Sequence, residues 1–562
     1  MRRFLIAFIS LISLFSILFA CTGPSPSVVV TPSPAEAQAS TLQPPPSNSP
    51  VTGLPSGTEG YPWWNDTIFY EIFVRSFYDS NGDGLGDLNG LISKLDYLND
   101  GEPSTTADLG VTGLWLMPIN PAISYHGYDV TDYYSVNPDY GTNDDFKRLV
   151  TEAHRRGIRI VIDFVINHTS DQHPWFQQAK GVDSPFRDWY IWADSAPAGL
   201  NGWYDSPSGA YYANFQQHMP DLNYKNPEVT AEIEKVAQFW LTDMGVDGFR
   251  VDGAKHLVEE GSATENTEAT HTWFKNFRVF YKGVNPEAIT VGEVFASSPV
   301  VAQYAKGDEF DLLFAFDLAK AMSLGAGLGN PAQLNDALPS IMRQSQPNQF
   351  ATFLTNHDQD RIMSVLGDKP EKAKVAATLL LTAPGAPFLY YGEEIGLLGK
   401  KPDQDIRLPM QWAAEPNGGF TTGRPWRAVN GDWETKNVAI QTDDPDSLLS
   451  HYRALIRIRS EHAALRVGDS FVLESGARSV YGLLRVSESE VVLVVVNLGK
   501  EDVADYGLSL QLGPLNGAYT AAPILGEGPF EKLVVNGQGG FDGYKPIASL
   551  PPFTRLIIQL QK

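Results

Sequence analysis

Four short motifs, DFVINH at 163–168, GFRVDGAKH at 248–256, GEVF at 292–295 and FLTNHD at 353–358, each set ionisable side chains at the end of an apolar run of strand length. The runs at 158–165, 246–251, 288–294 and 349–354 read as short buried strands, and runs at 67–74, 111–117 and 386–391 read the same way. In a parallel barrel all strand C-termini share one face, so motifs about two hundred residues apart converge there. The pattern predicts an α/β fold: a (β/α)8 barrel over 61–168 and 225–460, with an insertion after its third strand.

The insertion, 169–224, is rich in Trp, Tyr, Gly and Pro and lacks the amphipathic helix that normally follows a barrel strand. Helical periodicity resumes at 226–244, with Asn226 placed to cap and Pro227 at the first helical position. A last barrel helix is expected at 448–460. Beyond 461 the pattern alternates, at 479–485, 490–497 and 554–559, which predicts a C-terminal antiparallel β-sandwich over 461–562, read as cover for the barrel's flank.

The motifs carry the chemistry of glycosidic-bond cleavage. Two carboxylates share that work: one protonates the leaving oxygen, and the other attacks the anomeric carbon or activates water. Asp252, Glu293 and Asp358 supply the pair and one more. Arg250, two residues before Asp252 on the same strand, points to the same face. A fixed cation there keeps a carboxylate ionised, as a nucleophile requires.

The stretch DSNGDGLGD at 79–87 alternates oxygen-bearing side chains in the manner of the first half of a calcium loop, which hard cations favour. It lacks the glutamate at the twelfth position of an EF-hand, and a Gly/Asp-rich turn is the alternative. At the N-terminus, Arg2 and Arg3 precede an apolar run at 4–20 that reads as an export signal. The run ends LFAC, similar to a bacterial lipoprotein processing site, and Cys21, the one cysteine of 562 residues, becomes the expected lipid attachment point. Residues 21–60, rich in Pro, Ser and Thr, read as a tether. The protein is thus expected outside the cytoplasm, lipid-anchored at the cell surface or envelope, as a monomer. A net charge of −24 argues against nucleic acid as a partner, whereas 12 Trp and 23 Tyr offer faces for sugar stacking.

Taken in order, the four motifs and the MPDLN segment at 219–223 resemble those of the α-amylase superfamily (glycoside hydrolase family 13), and the resemblance runs from about residue 65 to the C-terminus. It implies Asp252 as nucleophile, Glu293 as general acid/base and Asp358 as the group that holds sugar hydroxyls and stabilises the transition state. It also implies His168, His357 and Arg250 in the innermost subsite, with both histidines donating to sugar hydroxyls. Tyr128, in His126-Gly127-Tyr128, resembles the stacking platform of the reacting sugar. Lys255 and His256 match the pair that meets the leaving-group side of an α-1,4-linked chain. Loops like that at 79–87 bind calcium in relatives, which implies Asp79, Asn81, Asp83 and Asp87 as side-chain ligands with the Leu85 carbonyl, and a second Ca2+ near Asn167. MPDLN, RLPMQW at 407–412 and GFTTGRPW at 419–426 resemble instead the oligo-1,6-glucosidase/neopullulanase branch. Gly253 is neither the valine of that branch's α-1,6 enzymes nor the alanine usual in α-amylases. The expected activity is a retaining endo-acting α-amylase on starch, maltooligosaccharides and related α-glucans, with some transglycosylation. The alternatives are an exo-acting α-glucosidase or oligo-1,6-glucosidase, or a glucan-binding protein without catalysis.

Overall fold

A computed structural model describes residues 53–562; the export signal, Cys21 and the tether up to residue 52 lie outside the described residues. The chain first forms β1 (Phe69–Ile72), β2 (Gly113–Leu116) and β3 (Arg159–Phe164). The insertion contributes β4 (Trp192–Ala193), β5 (Trp203–Ser206) and β6 (Gly209–Tyr212), an antiparallel sheet of three strands. The barrel resumes with β7 (Gly248–Val251), β8 (Ile289–Gly292), β9 (Leu312–Leu313), β10 (Ala351–Thr352) and β11 (Ala386–Tyr390). Its eight strands run parallel in the order β10-β11-β1-β2-β3-β7-β8-β9, and a parallel bridge from Phe314 to Ala351 closes the circle.

The period-two pleat sorts the strand residues into two layers. Phe69, Trp115, Val161, Val291, Phe314 and Phe388 pack into the barrel interior. Their neighbours Tyr70, Leu114, Ile162 and Phe249 join the core beneath the surrounding helices. The strands are shorter than predicted because flanking apolar residues such as Ile158 and Val246 are buried without joining the ladder. The sixth barrel strand, β9, has only two residues, too few for a period to register, and the sequence pattern did not single it out.

The helix expected at 226–244 divides. Pro227–Gln238 is α-helical, with the Asn226 side chain accepting from Glu228 N at 3.0 Å, and Phe239–Asp243 is a π-helical turn in which Trp240 is buried and donates to the Tyr133 carbonyl at 2.8 Å. The last barrel helix is Leu448–Glu461, followed by a short helix, Ala463–Val467, at the start of the region expected to form the sandwich.

The C-terminal region holds β12 (Asp469–Ser475), β13 (Val480–Val486), β14 (Val491–Asn497), β15 (Leu508–Leu512), β16 (Ala518–Leu525), β17 (Leu533–Val534), β18 (Gly539–Tyr544) and β19 (Arg555–Gln561). All pair antiparallel. β12 pairs with β13 along most of its length and with β15 at its end, so it passes between the two layers of the sandwich. On β14, Val492, Val494 and Val496 belong to the barrel's core, whereas Leu493 and Val495 belong to the sandwich's own. Burial on both faces explains why this strand reads as an unbroken apolar run.

Candidate active site

The strand pleat that fills the barrel with apolar side chains also places Glu71 on β1, Asp163 on β3 and Arg250 on β7 at inward positions near the strand ends. A buried ion must be paired and hydrogen-bonded, and Arg250, 1 % exposed, is the hub of that pairing. Its Nη1 donates to Asp163 Oδ1 and Oδ2 at 2.8 and 3.0 Å and to Asp252 Oδ1 at 2.8 Å. Its Nη2 lies 2.7 Å from Glu293 Oε2. Asp252 follows β7 and Glu293 follows β8, so adjacent parallel strands deliver both acids to one guanidinium. Gly253, at φ 52° and ψ 33°, turns its N–H onto the same Glu293 oxygen at 3.0 Å.

A second cluster faces the first. The His357 Nδ1–H donates to Glu71 Oε1 at 2.5 Å, and its Nε2 lies 2.7 Å from the Tyr128 hydroxyl and 3.2 Å from Asp358 Oδ2. Arg407 donates through Nη2 to Asp358 Oδ1 and through Nε to the His357 carbonyl, both at 3.0 Å. The Tyr128 hydroxyl links the two clusters by donating to Asp163 Oδ2 at 3.1 Å, and its ring stacks on that of His357 at 5.6 Å.

The two clusters shift their carboxyl groups in opposite directions. Burial raises Asp252 and Glu293 above the usual carboxylate range; Arg250 opposes the rise, and repulsion from Asp358 adds to it. Burial also raises Asp163, against the pull of Arg250. For Asp358 the upward push of burial is outweighed by the His357 imidazolium and Arg407, which hold it well below the usual range. His357 is raised to about 10: burial alone would lower it, but Asp358 and Glu71 stabilise its charge.

The two remaining histidines clamp the backbone of Tyr128. The Tyr128 N–H donates to His126 Nδ1 at 3.2 Å, which leaves the His126 proton on Nε2 and free to donate. His168 Nε2 lies 3.0 Å from the Tyr128 carbonyl, which can only accept, so this nitrogen carries the proton. Burial lowers both histidines to about 4 and keeps them neutral. The His168 Nδ1 is buried and without a protein partner.

Lys255 pairs with Glu265 at 2.6 Å and His256 Nδ1–H donates to the Thr264 carbonyl at 3.0 Å, which ties both to the loop beyond the nucleophile. Glu71, Asp163 and Arg407 were not expected in the site. Asp163 opens the first motif and Arg407 opens RLPMQW, so each carried a signal; Glu71 is marked only by its inward register on β1.

In the 79–87 loop the side-chain oxygens accept from the loop's own backbone. Asp79 receives Asn81 N, Gly82 N and Gly84 N at 2.8–3.0 Å, Asn81 receives Asp83 N at 2.9 Å, Asp83 receives Leu85 N at 2.8 Å, and Asp87 caps a helix through Gly90 N at 2.7 Å. Among the described residues no three His, Cys, Asp or Glu side chains converge as a metal site. Near Asn167 the donors are different. Asn167 Oδ1 is buried without a partner, its Nδ2 donates to Asp221 Oδ2 at 3.1 Å, and burial together with repulsion from Glu259 raises Asp221 well above the usual range. An orphaned amide oxygen beside a carboxylate without a cation is a set of oxygens that fits a hard cation. The MPDLN segment supplies that carboxylate by returning beside the end of β3, where Leu222 N donates to the Asn167 carbonyl at 2.9 Å.

Residues 71–468 match the family described as alpha amylase, catalytic domain. The chain belongs to the α-amylase family. As a member it is a glycoside hydrolase, and its relatives span several specificities. It is 41% identical over 445 residues to "Alpha-amylase 3" of Dictyoglomus thermophilum, covering 78% of this chain and 86% of the relative. It is 32% identical over 522 residues to the oligo-1,6-glucosidase of Parageobacillus thermoglucosidasius, covering 78% and 91%. The crystal structure of the α-amylase from H. orenii superposes with a TM-score of 0.77 at 41% identity, covering 88% of this chain and 99% of that one. Within this amylase-family barrel, Asp252 and Glu293 follow directly on the ends of β7 and β8, whereas Asp358 is carried by the loop after β10.

Proposed function

We propose that the protein is a retaining, endo-acting α-amylase that cleaves α-1,4 bonds in starch and maltooligosaccharides and transfers glycosyl units to some acceptor sugars. The observation that carries this reading is the sharing of one guanidinium by Asp252 and Glu293. Two buried acids beside a single cation titrate as a unit, and the loss of one proton holds back the loss of the next. In the retaining mechanism the retained proton belongs to Glu293 and the charge to Asp252.

Asp252 then attacks the anomeric carbon while Glu293 gives its proton to the leaving oxygen, and a glycosyl-enzyme ester forms. As carboxylate, held by the Gly253 N–H, Glu293 takes a proton from water, which attacks the same carbon and releases the sugar with retained configuration. Asp358, kept ionised by His357 and Arg407, stabilises positive charge developing on the ring. Retention requires the two reacting carboxyl groups to stand about 5 to 5.5 Å apart.

Calcium is proposed as a structural ion, with Asn167 and Asp221 as the better-fitting donors and Asp79, Asn81, Asp83, Asp87 and the Leu85 carbonyl as the loop that resemblance points to. Excess chelator is expected to lower the unfolding temperature by several degrees, and an unchanged midpoint counts against any bound ion. Lipid anchoring through Cys21 is likewise proposed: Cys21→Ser should release the protein into the medium, and continued membrane association refutes it.

The deciding assay follows products from soluble starch, an end-blocked maltoheptaoside and isomaltose, with Asp252→Asn as control. Mixed oligosaccharides from the blocked chain, initially in the α-anomeric form, are expected. Glucose alone, with isomaltose cleaved and the blocked chain untouched, assigns the protein to the oligo-1,6-glucosidase branch instead.

A further inference from the structure

We infer that Ser76 is a positioning residue for the reaction: its buried hydroxyl fixes the Arg407 main chain and so sets the guanidinium that supports Asp358, and it ties that pair to the 79–87 loop, which takes no part in the chemistry above. The inference rests on the role given to Asp358 above and on neither linkage.

Ser76 closes the short turn Val74–Ser76 just past β1 and is fully buried. A hydroxyl there must find partners, and it offers one proton and two lone pairs. The proton goes to the Arg407 carbonyl at 2.6 Å, and a lone pair receives the Trp426 indole N–H at 3.0 Å. The carbonyls on either side are pinned as well. Arg361 Nε donates to Ile406 O at 2.8 Å and the Tyr391 hydroxyl to Leu408 O at 2.7 Å, while Met410 N donates to the Ser76 carbonyl at 2.8 Å. Three successive carbonyls are thus held by buried side chains, and the Arg407 side chain, 3% exposed, commits its donors to Asp358 and the His357 carbonyl. Its aim depends on the main chain that carries it, and a misplacement of about 1 Å costs about 10²-fold where a group serves the transition state.

Trp426 brings the 79–87 loop to the same point. Its backbone N–H donates to the Gly84 carbonyl at 3.0 Å; upstream, the Asp79 N–H donates to the Phe420 carbonyl at 3.1 Å and the Thr421 hydroxyl donates to Asp79 Oδ2. The two segments meet backbone to backbone, since a β-carbon at Gly84 would fall on the Arg424 carbonyl and one at Gly423 on the Gly82 carbonyl. The indole then reaches Arg407 twice, through the Ser76 hydroxyl and through the ring of Tyr125, on which it stacks at 5.5 Å and over which the Arg407 guanidinium lies at 5.9 Å. Glycines of DSNGDGLGD and of GFTTGRPW therefore serve one contact, and that contact leads to Asp358.

The test is a double-mutant cycle of Ser76→Ala and Arg407→Leu in the full chain. kcat and KM are measured separately on whichever of maltotriose and isomaltotriose the wild type cleaves faster, with thermal unfolding as a check on folding. Ser76→Ala should lower kcat by about tenfold and leave KM within about threefold, because the disturbed group acts on the transition state. In the Arg407→Leu background the same change should cost less than about twofold, there being no guanidinium left to aim. Thr421→Val, which frees the 420–426 segment from Asp79, should show the same coupling on a smaller scale, about threefold alone and less than about 1.5-fold beside Arg407→Leu. An equal cost of Ser76→Ala in both backgrounds, or a loss confined to KM or to the unfolding temperature, overturns the inference, and an unchanged kcat in Thr421→Val overturns the tie to the loop. If Ser76→Ala does not fold, Ser76→Cys, which keeps a side chain there but only a weak donor, is read by the same criteria. Activity near wild type in Arg407→Leu refutes the role given to Asp358 and the inference with it, whereas additivity with an impaired Arg407→Leu refutes the inference alone.

Discussion

The Arg250 cluster and the His357–Arg407 cluster face each other across one site, yet they hold their carboxylates at opposite ends of the range. Arg250 answers three acids, Asp163, Asp252 and Glu293, so burial prevails and Asp252 and Glu293 are raised. Asp358 touches two cations, Arg407, which also reaches Asp403, and a protonated His357, which also pairs with Glu71, and it is held low. Two differences act together: Asp358 is half-exposed and touches two cations, whereas Asp252 and Glu293 are largely covered and share one guanidinium with Asp163.

The comparison breaks first at Asp252. Asp252→Asn removes the nucleophile and leaves the cleft intact, so kcat should fall by about 10⁴-fold with glucan binding retained; turnover within tenfold of wild type would contradict its role. Arg250→Met strands three buried acids without a cation and should cost about 3–5 kcal/mol in denaturant unfolding. If stability is unchanged, Arg250 is not the hub.

On the other side, Arg407→Leu takes one of two cations from Asp358. Its pKa should rise, and activity should fall by about 10- to 100-fold; activity within about twofold of wild type would show that Arg407 does not support Asp358. The smallest effect is expected at Glu71, where Glu71→Gln should lower the pKa of His357 and cost about 1–3 kcal/mol at neutral pH.

The pH dependence sharpens this last point. His357 is raised to about 10 in the folded protein, against about 6.5 when unfolded. Its contribution to stability is therefore complete below the unfolded value and is lost as pH rises through about 10. Asp358, lowered in the folded state, contributes above its unfolded value and loses that contribution as pH falls. Unfolding midpoints measured across this range should decline at both ends, and Glu71→Gln should flatten the alkaline side.

Motifs recognisable along the chain are those in which a strand ends in a charged residue. Asp252, Glu293 and Asp358 were legible because each follows an apolar run whose barrel placement sends its C-terminal end to the common face. Arg250 was legible from its two-residue spacing to Asp252, and the contact is made. The proton on His168 was not legible: which nitrogen carries it depends on the Tyr128 carbonyl, forty positions earlier and brought near by folding. Arg407 carried a motif but no role until the segment after β11 closed on Asp358.

From the sequence alone follow the barrel, its insertion, the sandwich and the three acids, because strand period and chain order are local properties that a parallel barrel converts directly into a shared face. Only the tertiary structure decided how charge is apportioned, that one guanidinium serves three acids while one acid draws on two cations, and that the Ser76 hydroxyl holds the Arg407 carbonyl. Those features depend on distances between residues far apart in the chain, and burial, which makes each of those distances count, exists only once the chain has folded.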